Sequence, residues 1–196
     1  MSRFVVEFGK DGTPPAQEGR LDAPAFHRNH EPIWQALSPF LAAKTGAVLE
    51  LGSGTGQHTV TFAARTPNLT WHPSDLHDSH LASIEAWRAH MRLANVAPAQ
   101  RIDLTDPAWR WTPGGQLAAI LCINVLHISP WTVSQNLIAG AARYLDRYGR
   151  LFVYGPFMRD GAHTAPSNAE FDASLRARNA SWGVRGTRDL SALAEA

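Results

Sequence analysis

The 196 residues are 44% hydrophobic and 18% charged, the balance of one ordinary globular domain long enough to bury a two- or three-layer core. Eighteen basic against seventeen acidic residues leave a net charge of +1 with no lysine or arginine run. Nucleic acid as main partner is therefore not favoured, although a basic patch built from dispersed residues stays compatible with an RNA substrate.

The lone cysteine, Cys122, excludes an internal disulfide, suits a reducing compartment and, inside an apolar run, reads as a buried, inert thiol. There is no signal-peptide pattern and no run near the roughly 20 apolar residues of a membrane span, so the chain reads as cytoplasmic.

Residues 1–23, with Gly9, Gly12, Pro14, Pro15 and Gly19, read as an irregular arm; the domain proper is expected over 24–196. Residues 24–46 hold a helix over the pocket, with Ile33, Leu37 and Leu41 on one face and a break or bend expected at Pro39. Ala47–Leu51 is a buried-strand pattern, followed by a glycine-rich turn and a helix to Arg65. Leu69–Ser74 predicts a second strand, and Asp78 to Ala94 a helix with the apolar stripe Leu81, Ile84, Trp87 and Met91. Gln100–Leu104 predicts a third strand and Leu117–Ile123 a fourth. Ser129 then caps a helix whose first position is Pro130 and which Gly149 ends, before a fifth strand at Arg150–Tyr154. Ser167 to Glu170 has the capping-box form and opens a helix to Arg178. A last helix starts near Thr187 and is still running at Ala196, so a further strand pair is expected to follow.

Alternation of strands and helices predicts an α/β three-layer sandwich with a mostly parallel sheet. In such a sheet ligands bind beyond the carboxyl ends of the strands, which directs attention to the residues after each strand. The segment from Val48 to Gln57 is the most informative: a strand, then Gly52, Ser53, Gly54, Thr55 and Gly56, then a helix. Glycines permit positive φ and close ligand approach, and the helix start offers unpaired N–H groups. Dinucleotide sites want Gly-x-Gly-x-x-Gly, whereas Gln57 stands here where the third glycine would fall. Glu50, two residues before Gly52, would repel a pyrophosphate and attract an ammonium. S-adenosyl-L-methionine carries an ammonium and no phosphate, so the charge argument favours the methyl donor.

The glycine segment resembles motif I of class I methyltransferases. The wider pattern is similar to a methyltransferase-like family formerly filed as a domain of unknown function. It matches at Arg28-Asn29 with Pro32-Ile33, Gly52–His58, Pro73–Asp75, Asn124, His127–Trp131, Tyr154–Phe157, Ser167-Asn168 with Phe171-Asp172, and Trp182-Gly183. This resemblance covers 24–196 and implies a Rossmann-like methyltransferase sandwich whose complete version ends in an antiparallel hairpin that this chain lacks.

Within that frame Asp75, at the end of the second strand, is expected to accept the ribose hydroxyls, unless it merely caps the next helix. Asp103 is expected to accept from the adenine amino group and Leu104 to pack on the base; the alternative is a turn aspartate. Asn124 follows the fourth strand, facing the methionine part of the cofactor. Its surroundings lack both the Asn/Asp-Pro-Pro-aromatic signature of amino-group methyltransferases and the aspartate of metal-dependent catechol-type enzymes. His127, titrating near neutrality, is the first candidate for a general base and Tyr154 the second. Arg28 and Asn29 are placed to meet the cofactor carboxylate. His27 with His30, and His77 with His80, invite a metal, but neither pair has a third ligand nearby, and no metal is expected. The reading is methyl transfer to an unidentified acceptor, more readily a small molecule. Its rivals are a non-catalytic S-adenosylmethionine-binding or regulatory protein and a nicotinamide-dependent oxidoreductase.

Overall fold

A computed structural model describes residues 17–195 of the chain. Five strands form one all-parallel sheet in the order β3-β2-β1-β4-β5: β1 (Gly46–Leu51), β2 (Leu69–Asp75), β3 (Gln100–Arg101), β4 (Leu117–Ile123) and β5 (Leu145–Tyr154). The helices are α1 (Pro24–Leu41), α2 (Gln57–Arg65), α3 (Asp78–Met91), α4 (Trp131–Tyr144), α5 (Pro166–Arg178) and α6 (Thr187–Glu195). Because β4 is covered on both faces, all seven of its residues are buried apolar ones. Pleating sends its neighbours to opposite sides. Val48, Ala119 and Leu121 join Ile33, Leu37 and Leu41 of α1 and Phe62 of α2 in one core layer. Leu49, Ile120 and Cys122 meet Val133 and Leu137 of α4 in the other.

Several predicted boundaries move. Pro39 does not break α1, because it lies two residues before the helix end, where Ala42 N–H still reaches Ser38 O at 3.0 Å. The buried face of α3 is His80, Ser83 and Ile84, and Met91 is exposed. Ser83 is buried because it is spoken for: Leu21 N–H donates to its Oγ at 2.8 Å and the hydroxyl donates to Thr55 O at 2.8 Å. Trp87 Nε1 also donates to Leu21 O at 3.0 Å, so residues 20–23 of the arm lie against α3 rather than loose. Residues 17–19 of the predicted arm form a 3-10 turn, and residues 1–16 lie outside the described residues.

The third strand shrinks to two residues. Ser129 does not cap α4: its hydroxyl donates to Val125 O at 3.0 Å, and Pro130 is the residue preceding the helix. Gly149 lies inside β5, at a register shift between Leu117 and Ala119 of β4, and the helix ends at Tyr144 instead. Ser167 is likewise inside α5, which begins at Pro166 after Ala165. Beyond Tyr154 the chain adds a small second sheet that short-strand patterns did not announce. It has the order β7-β6-β8, from β6 (Phe157–Arg159), β7 (Ala162–His163) and β8 (Arg185–Gly186). No helix among the described residues is long and apolar enough to cross a membrane.

Candidate functional site

The loop joining β1 to α2 holds Gly52, Gly54 and Gly56 at φ 69°, 57° and 89°, left-handed values that an L side chain rarely takes. A Cβ on Gly52 would stand 2.5 Å from Val125 Cγ2, and one on Gly56 2.9 Å from Ile84 Cα. The loop is thus pressed between α3 and the segment after β4. It is tied from below: Ser53 N–H donates to Ser74 O at 2.8 Å, and Ser74 Oγ donates to Glu50 O at 2.8 Å. Thr55 Oγ1 donates to Gln57 Oε1, which also receives Ala23 N–H at 2.9 Å, so the start of α1 is fastened to the same turn.

Asp75 ends β2 as expected and is 5% exposed. Its Oδ2 accepts Gly54 N–H at 2.9 Å, while Oδ1 accepts His77 N–H at 3.0 Å and lies 3.0 Å from His80 Nδ1. Burial alone would raise its pKa, but these hydrogen bonds and the His80 ring outweigh it and hold the carboxyl below its ordinary value. A carboxylate has about four lone-pair positions, so three bonds leave acceptor capacity on Oδ2.

Glu50 departs from the sequence argument. It is 1% exposed, enclosed beneath the loop, and its Oε2 accepts the Thr59 hydroxyl of α2. Burial pushes its pKa up to about 7; the hydrogen bonds from Thr59 and Ser53 pull the other way and the nearby Asp75 charge adds to the rise. The picture of an open, permanently charged carboxylate facing a ligand is corrected: Glu50 is a buried group that titrates near neutrality. The same burial, with Glu50 beside it, lifts the Cys122 thiol to about 12.

A cavity of about 470 Å³ reaches the segment after β4 but is lined by none of the glycine-loop residues, nor by Asp75. It brings together Arg28 and Asn29 from α1, Asn124 after β4 and Tyr154 at the end of β5, four residues that the sequence singled out. Asn124 is held at φ 59°, with its N–H on Tyr154 O at 2.8 Å. Asn29 is buried, and His58 Nε2 lies 2.9 Å from its Oδ1; burial, with His30 nearby, drives the His58 pKa down to about 4 and keeps the ring neutral. The far wall comes from residues that were not picked out as site residues: Phe157 and Arg159 of β6, Thr164, Asn168 of α5 and Thr187 of α6. Only Asn168 and the run from Gly155 to Phe157 carried a signal, as part of the resemblance.

His127 is not among the cavity residues. It is 7% exposed in a 3-10 turn (Leu126–Ile128), edge-on to Phe171 with ring centroids 5.4 Å apart. Burial and then Arg185 lower its pKa to about 4, so the near-neutral titration that recommended it as a base does not hold. Asp103 closes a turn instead of ending a strand. Its Oδ1 accepts Thr105 N–H at 2.8 Å and the Thr105 hydroxyl at 2.7 Å, the arrangement expected of a turn aspartate. Leu104 is 8% exposed and packs into the core layer that contains Trp109 and Leu137. The histidine pairs have local partners: His27 Nε2 lies 2.8 Å from Asp22, His30 Nδ1 2.9 Å from Phe26 O, and His80 beside Asp75.

Residues 20–196 match the family described as "Protein of unknown function (DUF938)". The chain belongs to that family. Among solved structures, this DUF938 chain is similar to an O-methyltransferase family protein from Burkholderia thailandensis, with a TM-score of 0.71 and 22% identity over 86% of this chain and 50% of that one. It is also similar to geranyl diphosphate C-methyltransferase from Streptomyces coelicolor A3(2), solved with Mg2+, geranyl diphosphate and S-adenosyl-L-homocysteine. There the TM-score is 0.64 and the identity 14%, over 85% of this chain and 59% of that one. At these identities the likeness is one of fold, and the DUF938 chain has the Rossmann-like methyltransferase fold. It spans half the length of the Burkholderia protein.

Proposed function

We propose that the protein binds S-adenosyl-L-methionine and transfers its methyl group to a small-molecule acceptor. The observation that carries this reading is the junction of two features. A left-handed glycine loop at the end of β1 abuts, through Val125, the segment after β4 whose Asn124 lines a cavity with Arg28, Asn29 and Tyr154. The residues fit the cofactor in chemical terms. Backbone at Gly52–Gly56 allows close approach, Asp75 retains acceptor capacity for ribose hydroxyls, and Arg28 matches the carboxylate of the amino-acid tail. Ser53 and Thr55 belong to the loop that encloses the tail, whereas Asp103, engaged with Thr105, and Leu104, packed in the core, are given no cofactor contact. When bound, the cofactor would supply a sulfonium methyl that an acceptor lone pair can take, with neutral S-adenosylhomocysteine as the leaving group.

The chain's own part is alignment and exclusion of water. Asn124 and Asn29 orient the tail, and the partly exposed Tyr154 hydroxyl positions the acceptor at the mouth of the cavity. Glu50 acts from beneath the loop: an ammonium above it favours the ionised carboxyl, so binding at neutral pH drives a proton off Glu50. His127, neutral and weakly basic, takes no part in the cavity and packs against Phe171. The experiment is mass spectrometry of candidate small acceptors incubated with cofactor and protein, against a Gly54→Val control. Mass gains of one methyl with the parent and none with the control are expected. Cofactor binding without any methylated product would favour a regulatory binding protein.

A further inference from the structure

The cavity lined by Asn124 and Tyr154 carries more positive charge than the cofactor requires. Arg28 of α1 and Arg159 of β6 both line it, and no aspartate or glutamate does. Among the described residues, no ion pair or hydrogen bond engages either guanidinium. The acid next to Arg159 in sequence, Asp160, is committed to Arg188 at 2.7 Å. Two helix starts add to the field: Ala25 in the first turn of α1 and Asn168 in the first turn of α5 both face the cavity. Both helices begin with a proline and the Asn168 N–H donates to Ala165 O at 3.0 Å, so what these turns add is the positive end of each helix dipole.

A second cavity, of about 540 Å³, shows what a neutralised arrangement looks like in the same molecule. There Arg176 donates to Asp172 at 3.0 Å, Arg185 donates to Leu126 O at 3.2 Å and Ser181 O at 2.9 Å, and Asp189 lines the wall. Its arginines are satisfied by the chain, whereas Arg28 and Arg159 are exposed cavity residues with no such partners among the described residues. A zwitterionic amino-acid tail brings one carboxylate, which suits Arg28. Arg159 lines the same cavity together with Thr164 and Asn168, where Asn168 Nδ2 donates to Thr164 Oγ1 at 2.9 Å and leaves the threonine hydroxyl proton and the second amide N–H as donors.

We infer that Arg159, with Thr164 and Asn168, anchors an oxyanion of the methyl acceptor, so that the acceptor is a small molecule carrying a carboxylate or a phosphate. A guanidinium suits both, through paired N–H donors. The oxyanion is the handle and the nucleophile is another atom of the same molecule, held toward Asn124. This inference rests on the cofactor reading above.

The test is calorimetric titration of inorganic phosphate, and separately of benzoate, into protein saturated with S-adenosylhomocysteine, in chloride of matched ionic strength. Saturation occupies Arg28, so the anion reads the second site. At least one anion is expected to bind saturably, and the tighter of the two identifies the oxyanion. Arg159→Met should weaken that binding by about tenfold or more, since charge-assisted bonds are lost. Arg159→Lys should restore part of it, and S-adenosylhomocysteine affinity should stay within about twofold in both variants. The inference is overturned if neither anion saturates, if R159M binds them as the parent does, or if R159M loses S-adenosylhomocysteine affinity instead. A parent that fails to bind S-adenosylhomocysteine defeats the cofactor reading alone. The same titrations into ligand-free protein then decide the anion site, loss of binding in R159M supporting it and unchanged binding refuting it.

Discussion

Replacing Glu50 by glutamine removes a buried carboxyl whose pKa stands at about 7 instead of 4.5, while leaving an oxygen for the Thr59 hydroxyl. A group held above its unfolded value is protonated in the folded state and ionised in the unfolded one through the intervening window. Stability is therefore lost as pH rises from 4.5 toward 7, and above 7 the full cost is present. At about 1.36 kcal/mol per pH unit, that cost is about 3 kcal/mol at pH 8 and about 1 kcal/mol at pH 5. Glu50→Gln should thus gain about 2 kcal/mol on the parent between pH 5 and pH 8, or roughly 4–8 °C in melting temperature for a chain of this size. Thermal unfolding followed by circular dichroism at both pH values reads it directly. A variant whose difference from the parent does not change with pH would refute the reasoning. It would mean that Glu50 is either ionised and paired in the folded protein or reached by water. The same substitution should weaken cofactor binding, because the ionised carboxyl beneath the loop is then missing.

Further outcomes follow from the same geometry. His58 is buried with its pKa near 4, so it contributes stability present above pH 6.5 and lost as pH falls toward 4. Denaturant titrations of the parent and His58→Gln across that window should show the parent losing about 3 kcal/mol more than the variant. Gly140→Ala places a methyl 1.9 Å from Trp109 Cζ2 on the inner face of α4, and should cost about 2 kcal/mol or more, seen as a lowered urea midpoint. Asp75→Asn keeps one acceptor oxygen but turns the other position into a donor facing the Gly54 N–H or the ribose. S-adenosylhomocysteine affinity should fall by about tenfold or more in a calorimetric titration, and an unchanged value would remove Asp75 from the site.

The parts of the fold legible in the sequence were those governed by local chemistry. Apolar runs gave β1 and β4 to within a residue, because central parallel strands are buried on both faces, and β2 was bounded equally closely although its run is mixed. The glycine loop was legible because only glycine tolerates its backbone angles. Caps were not: Ser129 and Ser167 have the right type and spacing, yet the hydroxyl of Ser129 finds the carbonyls of the preceding turn, and Pro166 moves the cap of α5 two residues earlier, to Ala165. The small sheet of β6, β7 and β8 escaped because strands of two or three residues have no measurable alternation.

In the site, Arg28, Asn29, Asn124 and Tyr154 could be expected together, since each follows or overlies a strand end in this topology. Arg159 could not, because what places it in the cavity is the hairpin of β6 and β7, a tertiary feature. Glu50 was read as a charged ligand group and His127 as a near-neutral base, whereas their protonation follows from burial that no linear pattern records.

The central claim is that the loop at Gly52–Gly56 receives an amino-acid-bearing nucleoside and turns away a diphosphate. Paired calorimetric titrations of S-adenosylmethionine and nicotinamide adenine dinucleotide into the parent and Gly54→Val test it most directly. The account predicts one-to-one binding of S-adenosylmethionine by the parent, with proton release near pH 7, its abolition in G54V, and no saturable heat from the dinucleotide. Tight dinucleotide binding with no response to S-adenosylmethionine would contradict it.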